Sequence, residues 1–119
     1  MSWNLDKNRP ICPQIYEQIS VKIACGELRA GEKLMSVREV ALSAGVNPNT
    51  VQKAFEQLAN AGLIYSERNI GWFVNEDTSK AIEAVEHLRK EKTVAFIGEM
   101  KLLGLTTADV IKFLEEWNK

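Results

Sequence analysis

Four side chains stand close together at Asn49, Thr50, Gln52 and Lys53, directly after Asn47-Pro48. Two carboxamides, a hydroxyl and an ammonium are poorly suited to making bonds but well suited to reading another molecule's hydrogen-bonding edges. Asn and Gln can form paired hydrogen bonds to adenine, Thr can bond a base or touch a thymine methyl, and Lys can reach guanine or phosphate. The plainer alternative is a solvated polar helix start. No comparable set exists for catalysis. His87 is the sole histidine and stands among Glu86, Arg89 and Lys90. No nucleophile–base spacing, metal-ligand cluster or phosphate-binding glycine loop appears. Neither enzymatic activity nor a cofactor or metal is expected.

The elements that position these side chains are legible on either side. Val51, Phe55 and Leu58 fall at i, i+4 and i+7, with Ala54 beside them, and form the apolar face of a helix. Asn47 is a strong N-cap and Pro48 is favoured at the first helical position. The four polar residues lie off the apolar face, in the first turns. Upstream, Ser36-Val37-Arg38-Glu39 has the capping-box pattern. Val37, Val40, Ala41 and Ala44 follow at helical spacing, and Gly45 supplies a left-handed exit. Two short helices around a glycine turn make a helix-turn-helix. The second helix start offers free amides and partial positive charge to a phosphate. Ser36 and Asn47, at the two helix starts, join the candidate DNA-facing set.

Before this motif, Pro13, Ile15, Tyr16, Ile19 and Ile23 predict a first helix over roughly 11 to 25, followed by the loop GELRAGEKLMS, whose Leu34-Met35 can tuck into the core. Residues 1–10 have no period and read as an extended arm, with Trp3 and Leu5 packing on the domain or on a partner chain. After the motif, Leu63–Glu67 and Gly71–Val74 are rich in aromatic and branched residues and flank Arg68-Asn69-Ile70. They predict a β-hairpin wing whose Arg68 and Asn69 suit phosphate or the minor groove. The alternative is a hairpin that only covers the core.

Residues 75–79 are polar and form a joint, where Asp77 or Thr78 can cap a long helix over about 78 to 99. Its apolar side carries Ile82, Val85, Leu88 and Phe96. Thr106 and Asp109 form a capping-box variant ahead of a last helix bearing Val110, Phe113, Leu114 and Trp117. Two helices of this apolarity do not make an isolated core and need a second chain or the winged domain; these residues are assigned to dimerisation, the alternative being intramolecular packing only. The expected architecture is mainly α. It comprises an arm over 1–10, a winged helix-turn-helix of three helices and a two-stranded wing over 11–75, and a two-helix dimerisation region over 76–119.

Charge is local at most. The net charge is −1, with eight Lys/Arg against seven Asp/Glu up to residue 75 and seven against nine beyond it. Tight DNA binding therefore requires good base contacts or dimerisation. Cys12 and Cys25, both placed on the first helix, are separated by about 20 Å along its axis. That is too far for a disulfide, and free thiols suit a reducing cytoplasm. No apolar run reaches a membrane span, and the N-terminus lacks a signal-peptide core.

The segments AGEKLMSVREVA, GVNPNTVQKAFEQLANAGLI and GWFV, in this order over about residues 11 to 75, strongly resemble the GntR family of bacterial transcription regulators. The NPNTVQKA form and the short C-terminal part resemble its YtrA subfamily. That resemblance implies phosphate or base contacts from Arg38, groove contacts from Asn49, Thr50, Gln52 and Lys53, and wing contacts from Arg68 to Gly71. Asn69 stands where many members carry a wing glycine. The resemblance further implies a dimeric repressor bound to an inverted-repeat operator of double-stranded DNA, controlling a transporter operon. Larger members carry a ligand-binding C-terminal domain. Here a small-molecule effector has room only between protomers, near Phe96, Phe113 or Trp117. A winged-helix module that docks proteins rather than DNA is the competing expectation.

Overall fold

A computed structural model of the chain describes residues 2–118. The elements in order are α1 (Ile11–Ala24), α2 (Val37–Ala44), α3 (Pro48–Asn60), β1 (Ile64–Glu67), β2 (Gly71–Val74), α4 (Ser79–Leu102) and α5 (Thr107–Trp117). The chain divides into two units, one running to Val85 and one beginning at Glu86.

In the first unit, three helices bury one stripe each. Ile15, Ile19 and Ile23 of α1, Val40 and Ala41 of α2, and Val51, Ala54, Phe55 and Leu58 of α3 share one core with Leu34, Leu63, Ile64 and Val74. Ser20 is the polar side chain buried among them; its hydroxyl donates to the Tyr16 carbonyl at 2.7 Å, which avoids an unsatisfied donor.

The ends of α2 and α3 follow from their capping residues. The Ser36 hydroxyl accepts from the Glu39 N–H at 3.1 Å, and the Ser36 N–H donates to the Glu39 carboxylate at 3.0 Å. Gly45 adopts the left-handed conformation (φ 69°), and the Val46 N–H reaches back to the Ala41 carbonyl. This closes α2 and turns the chain within two residues. The Asn47 side chain then accepts from the Asn49 N–H at 2.8 Å, with Pro48 at the first helical position.

The hairpin pairs Ile64 with Val74, Tyr65 with Phe73, Ser66 with Trp72 and Glu67 with Gly71. A third edge joins it. The Leu34 N–H donates to the Trp72 carbonyl, the Val74 N–H to Glu32 and the Gly31 N–H to Val74, while Lys33 bridges Phe73. The expected loop between α1 and α2 is present, and an isolated β-bridge within it pairs with the free side of β2. Trp72 packs edge-on against Phe55, with ring centroids 5.6 Å apart, tying the hairpin to α3.

The arm is fastened to its own domain. The Asn4 N–H donates to the Gln18 amide oxygen, whose amide nitrogen donates back to the Asn4 carbonyl. The Trp3 indole donates to Ser43 at 3.0 Å, and Trp3 and Leu5 pack on the core. Between these contacts the backbone of residues 2–6 forms no helix or strand.

The Asp77 carboxylate accepts from the Ser79 N–H at 2.9 Å at the start of α4. This helix passes Gly98 and ends at Leu102, where backbone bonds from Gly104 and Leu105 close it. Thr106 and Asp109 form the expected capping box of α5. Cys12 and Cys25 form no disulfide. No helix among the described residues is long and apolar enough to cross a membrane.

Candidate nucleic-acid interface

Helix α3 is strongly two-sided. Val51, Ala54, Phe55 and Leu58 have essentially no exposed surface, whereas Asn49 and Lys53 are exposed and Thr50 and Gln52 half-buried. The buried face fixes the helix; the opposite face leaves its first two turns accessible. Asn49, Thr50 and Lys53 line a shallow cleft of about 450 Å³ together with Pro10, Ile11 and Cys12 at the start of α1.

The individual side chains differ in what they have free. The Ser36 hydroxyl and the Asn47 side-chain oxygen serve as helix caps. Arg38 projects from the first turn of α2 and is exposed. Among the described residues, Arg38, Lys53 and Arg68 form no ion pair, so their charge is available. The Gln52 amide nitrogen donates to the Glu56 carboxylate, one helical turn on, at 3.1 Å. Glu39 titrates below its ordinary value of 4.5 because the Ser36 backbone N–H, and secondly its hydroxyl, stabilise the carboxylate. It is thus firmly anionic beside Arg38, and an N-terminal carboxylate complements the partial positive charge of a helix start.

At the wing tip the Ile70 N–H donates to the Glu67 carbonyl at 3.0 Å, forming a tight turn. Asn69 takes the left-handed conformation (φ 67°) that a glycine would take; Asn tolerates that region better than most residues. Gly71 has φ 142°, and a Cβ there would lie 3.2 Å from Lys33 Cε. The Lys33 stem therefore lies against the base of the wing, bringing a further cation to it.

Three residues here were not signalled as site residues by the sequence reading: Lys7, Lys33 and Glu56. Lys7 donates to the Gly45 carbonyl at 2.7 Å, at the turn of the motif. Ile70 is 57% exposed beside Arg68. Only Glu56 left a sequence signal, its i, i+4 spacing from Gln52; the two lysines depend on tertiary placement.

The residues assigned to dimerisation divide. Ile82, Phe96, Phe113, Leu114 and Trp117 are exposed, and Leu88 is half-buried. Val85 and Val110 are buried within the single chain. Of the three aromatic residues considered for an effector, Phe113 lines an open cleft of about 310 Å³ with Leu105, Asp109, Lys112 and Glu116.

A helix-turn-helix with an accessible second helix start, unpaired cations beside it and a β-hairpin packed on that helix defines a winged helix-turn-helix DNA-binding protein. The sequence pattern of the bacterial regulatory proteins of the gntR family matches residues 13–74. The chain belongs to that family, and it is a DNA-binding transcriptional regulator. It is 32% identical to the HTH-type transcriptional regulator YhcF of Bacillus subtilis, over 100% of this chain and 98% of that one. It is also 32% identical to the HTH-type transcriptional repressor YtrA of Bacillus subtilis, covering 92% of this chain and 82% of the relative. A solved GntR family transcriptional regulator from Listeria monocytogenes superposes with a TM-score of 0.85 at 35% identity, over 94% of this chain and 98% of that one. The structure of AraR(DBD) in complex with an operator superposes with a TM-score of 0.54 at 30% identity, over 62% of this chain and 93% of that one.

Proposed function

We propose that the protein is a homodimeric repressor that reads an inverted-repeat operator, inserting the first turns of α3 of each protomer into successive major grooves. The observation that carries this reading is the two-sidedness of α3: a fully buried apolar face holds the helix, and Asn49, Thr50, Gln52 and Lys53 stand on the accessible side. Arg38 and the wing residues Arg68, Asn69 and Gly71 flank them and engage the backbone or the minor groove. The bound operator of the AraR(DBD) complex supports the docking mode, and the repressor named YtrA supports the sign of regulation. The subfamily resemblance points to a transporter operon.

The same reading assigns residues 76–119 to dimerisation. In α5, Ile111, Phe113 and Leu114 are each more than half exposed and Trp117 is 88% exposed. An apolar helix face of this kind marks an interaction surface, and a second copy of the chain supplies a matching one under twofold symmetry. Selecting bound sequences from random DNA tests the proposal. The expected product is an inverted repeat whose half-sites lie about 34–36 Å apart, centre to centre. Enrichment of single half-sites only, or of no sequence, would count against it.

A further inference from the structure

We propose that Glu56 positions Gln52 for base recognition: its carboxylate holds the Gln52 carboxamide in the orientation that accepts adenine and refuses guanine. The inference rests on the reading of Gln52 as a base-contacting residue. The two side chains lie one turn apart on α3, Gln52 half-buried and Glu56 exposed, with the Gln52 nitrogen 3.1 Å from the Glu56 oxygen. A carboxylate can only accept, so the nitrogen end of the amide faces Glu56 and the oxygen end is turned away from it.

This orientation has consequences at a purine edge. Adenine presents an N7 acceptor beside an N6 amino donor; guanine presents N7 and O6, both acceptors. A free carboxamide can address either base, because it can rotate to offer an oxygen or its amino group. With one amide hydrogen held by Glu56, Gln52 retains one N–H and its oxygen. That pair complements adenine N7 and N6. Against guanine the same oxygen would meet O6, acceptor against acceptor, in a site from which water has been displaced. Holding the amide also removes rotamer freedom before binding, so less is lost on complex formation. The negative charge of Glu56 opposes phosphate approach whatever the sequence, which allows charge and positioning to be separated.

The experiment is selection from random DNA, followed by affinity measurement on single-base variants, for the full-length protein and for E56A, E56Q and Q52A. Circular dichroism verifies that each variant is folded. At one symmetric position per half-site the native protein is expected to favour adenine over guanine, and Q52A to flatten that preference. E56A should reduce the adenine-to-guanine ratio there by about five- to tenfold, the worth of one base-edge hydrogen bond. E56Q keeps an acceptor oxygen without the charge, so it should preserve most of the ratio while binding every sequence more tightly. The proposal is overturned if E56A tightens binding uniformly with the ratio intact, since Glu56 then acts through charge alone. A cytosine preference lost in E56A but kept in Q52A would also overturn it, by showing that Glu56 reads a base itself. If Q52A leaves every preference unchanged, Gln52 reads no base and the proposal falls together with the reading beneath it.

Discussion

Lys53 and Arg38 are exposed and form no ion pair among the described residues, so removing either takes away an attraction for DNA without orphaning a group inside the protein. Lys53→Ala and Arg38→Ala should each weaken operator binding at every sequence. If the lost contact is to phosphate, the slope of log affinity against log salt should also fall by about 1. Fluorescence anisotropy over a salt series measures both, and thermal unfolding should move by no more than about 0.5 kcal/mol, as for surface changes generally. A substitution that leaves affinity unchanged would remove that side chain from the docking face. Asn49→Ala has a different signature. Its side chain carries no net charge and is exposed, so the expected loss is about 1–3 kcal/mol of discrimination at one base pair, with little change in the salt slope. Equal affinity losses on cognate and mismatched sites would show that Asn49 contacts backbone rather than base.

The elements hold these side chains through their caps, and the caps titrate. Glu39 is held below its ordinary value by Ser36, and Asp109 by the Thr106 backbone N–H and then its hydroxyl. A carboxyl whose folded value is lowered adds stability that is whole above its unfolded value. That stability is lost as pH falls through the folded one. Glu39→Gln should therefore have a lower urea midpoint than the native protein above about pH 5, and the two curves should converge as pH falls below the carboxylate range. Parallel curves down to the lowest pH would show that the capping box does not depend on charge. Such caps are also why the helices were legible from sequence: Ser36 with Glu39, Asn47 with Pro48, and Thr106 with Asp109 each mark a start through local bonding that needs no tertiary information. The bridging of residues 31–34 to β2 was not legible, because it joins segments some forty residues apart and their charged sequence has no period of two. The bond from Lys7 to the Gly45 carbonyl and the contact of Lys33 with the wing are of the same non-local kind. Val85 and Val110 show the converse limit, since an apolar stripe reveals that a face is buried but not whether its own chain or another buries it.

For the whole molecule, the modest charge of the winged unit leaves tight binding to good base contacts or to dimerisation, and the proposed homodimer supplies the second. Each protomer offers one recognition helix and one wing, and a single such set engages few phosphates. Joining two sets makes the second half-site encounter intramolecular, which raises overall affinity by about 10²–10⁴ without any new contact. In the proposed dimer, that gain rests on the exposed apolar residues of α5. Phe113 is 58% and Trp117 88% exposed, so replacing both with Asp leaves no cavity and places charge where a partner helix would pack. The native protein is expected to sediment as a dimer, and the double variant as a monomer at the same concentration. Its operator affinity should fall by about 10²-fold or more, while its affinity for an isolated half-site stays the same. Retention of the winged fold can be followed independently through the near-ultraviolet signal of Trp72, which packs on Phe55 in the core. A variant that remains dimeric would move the interface elsewhere, to the arm or the exposed side of α4. A monomeric variant that keeps full operator affinity would show instead that one winged unit supplies the binding energy alone, and the twofold operator would lose its physical basis.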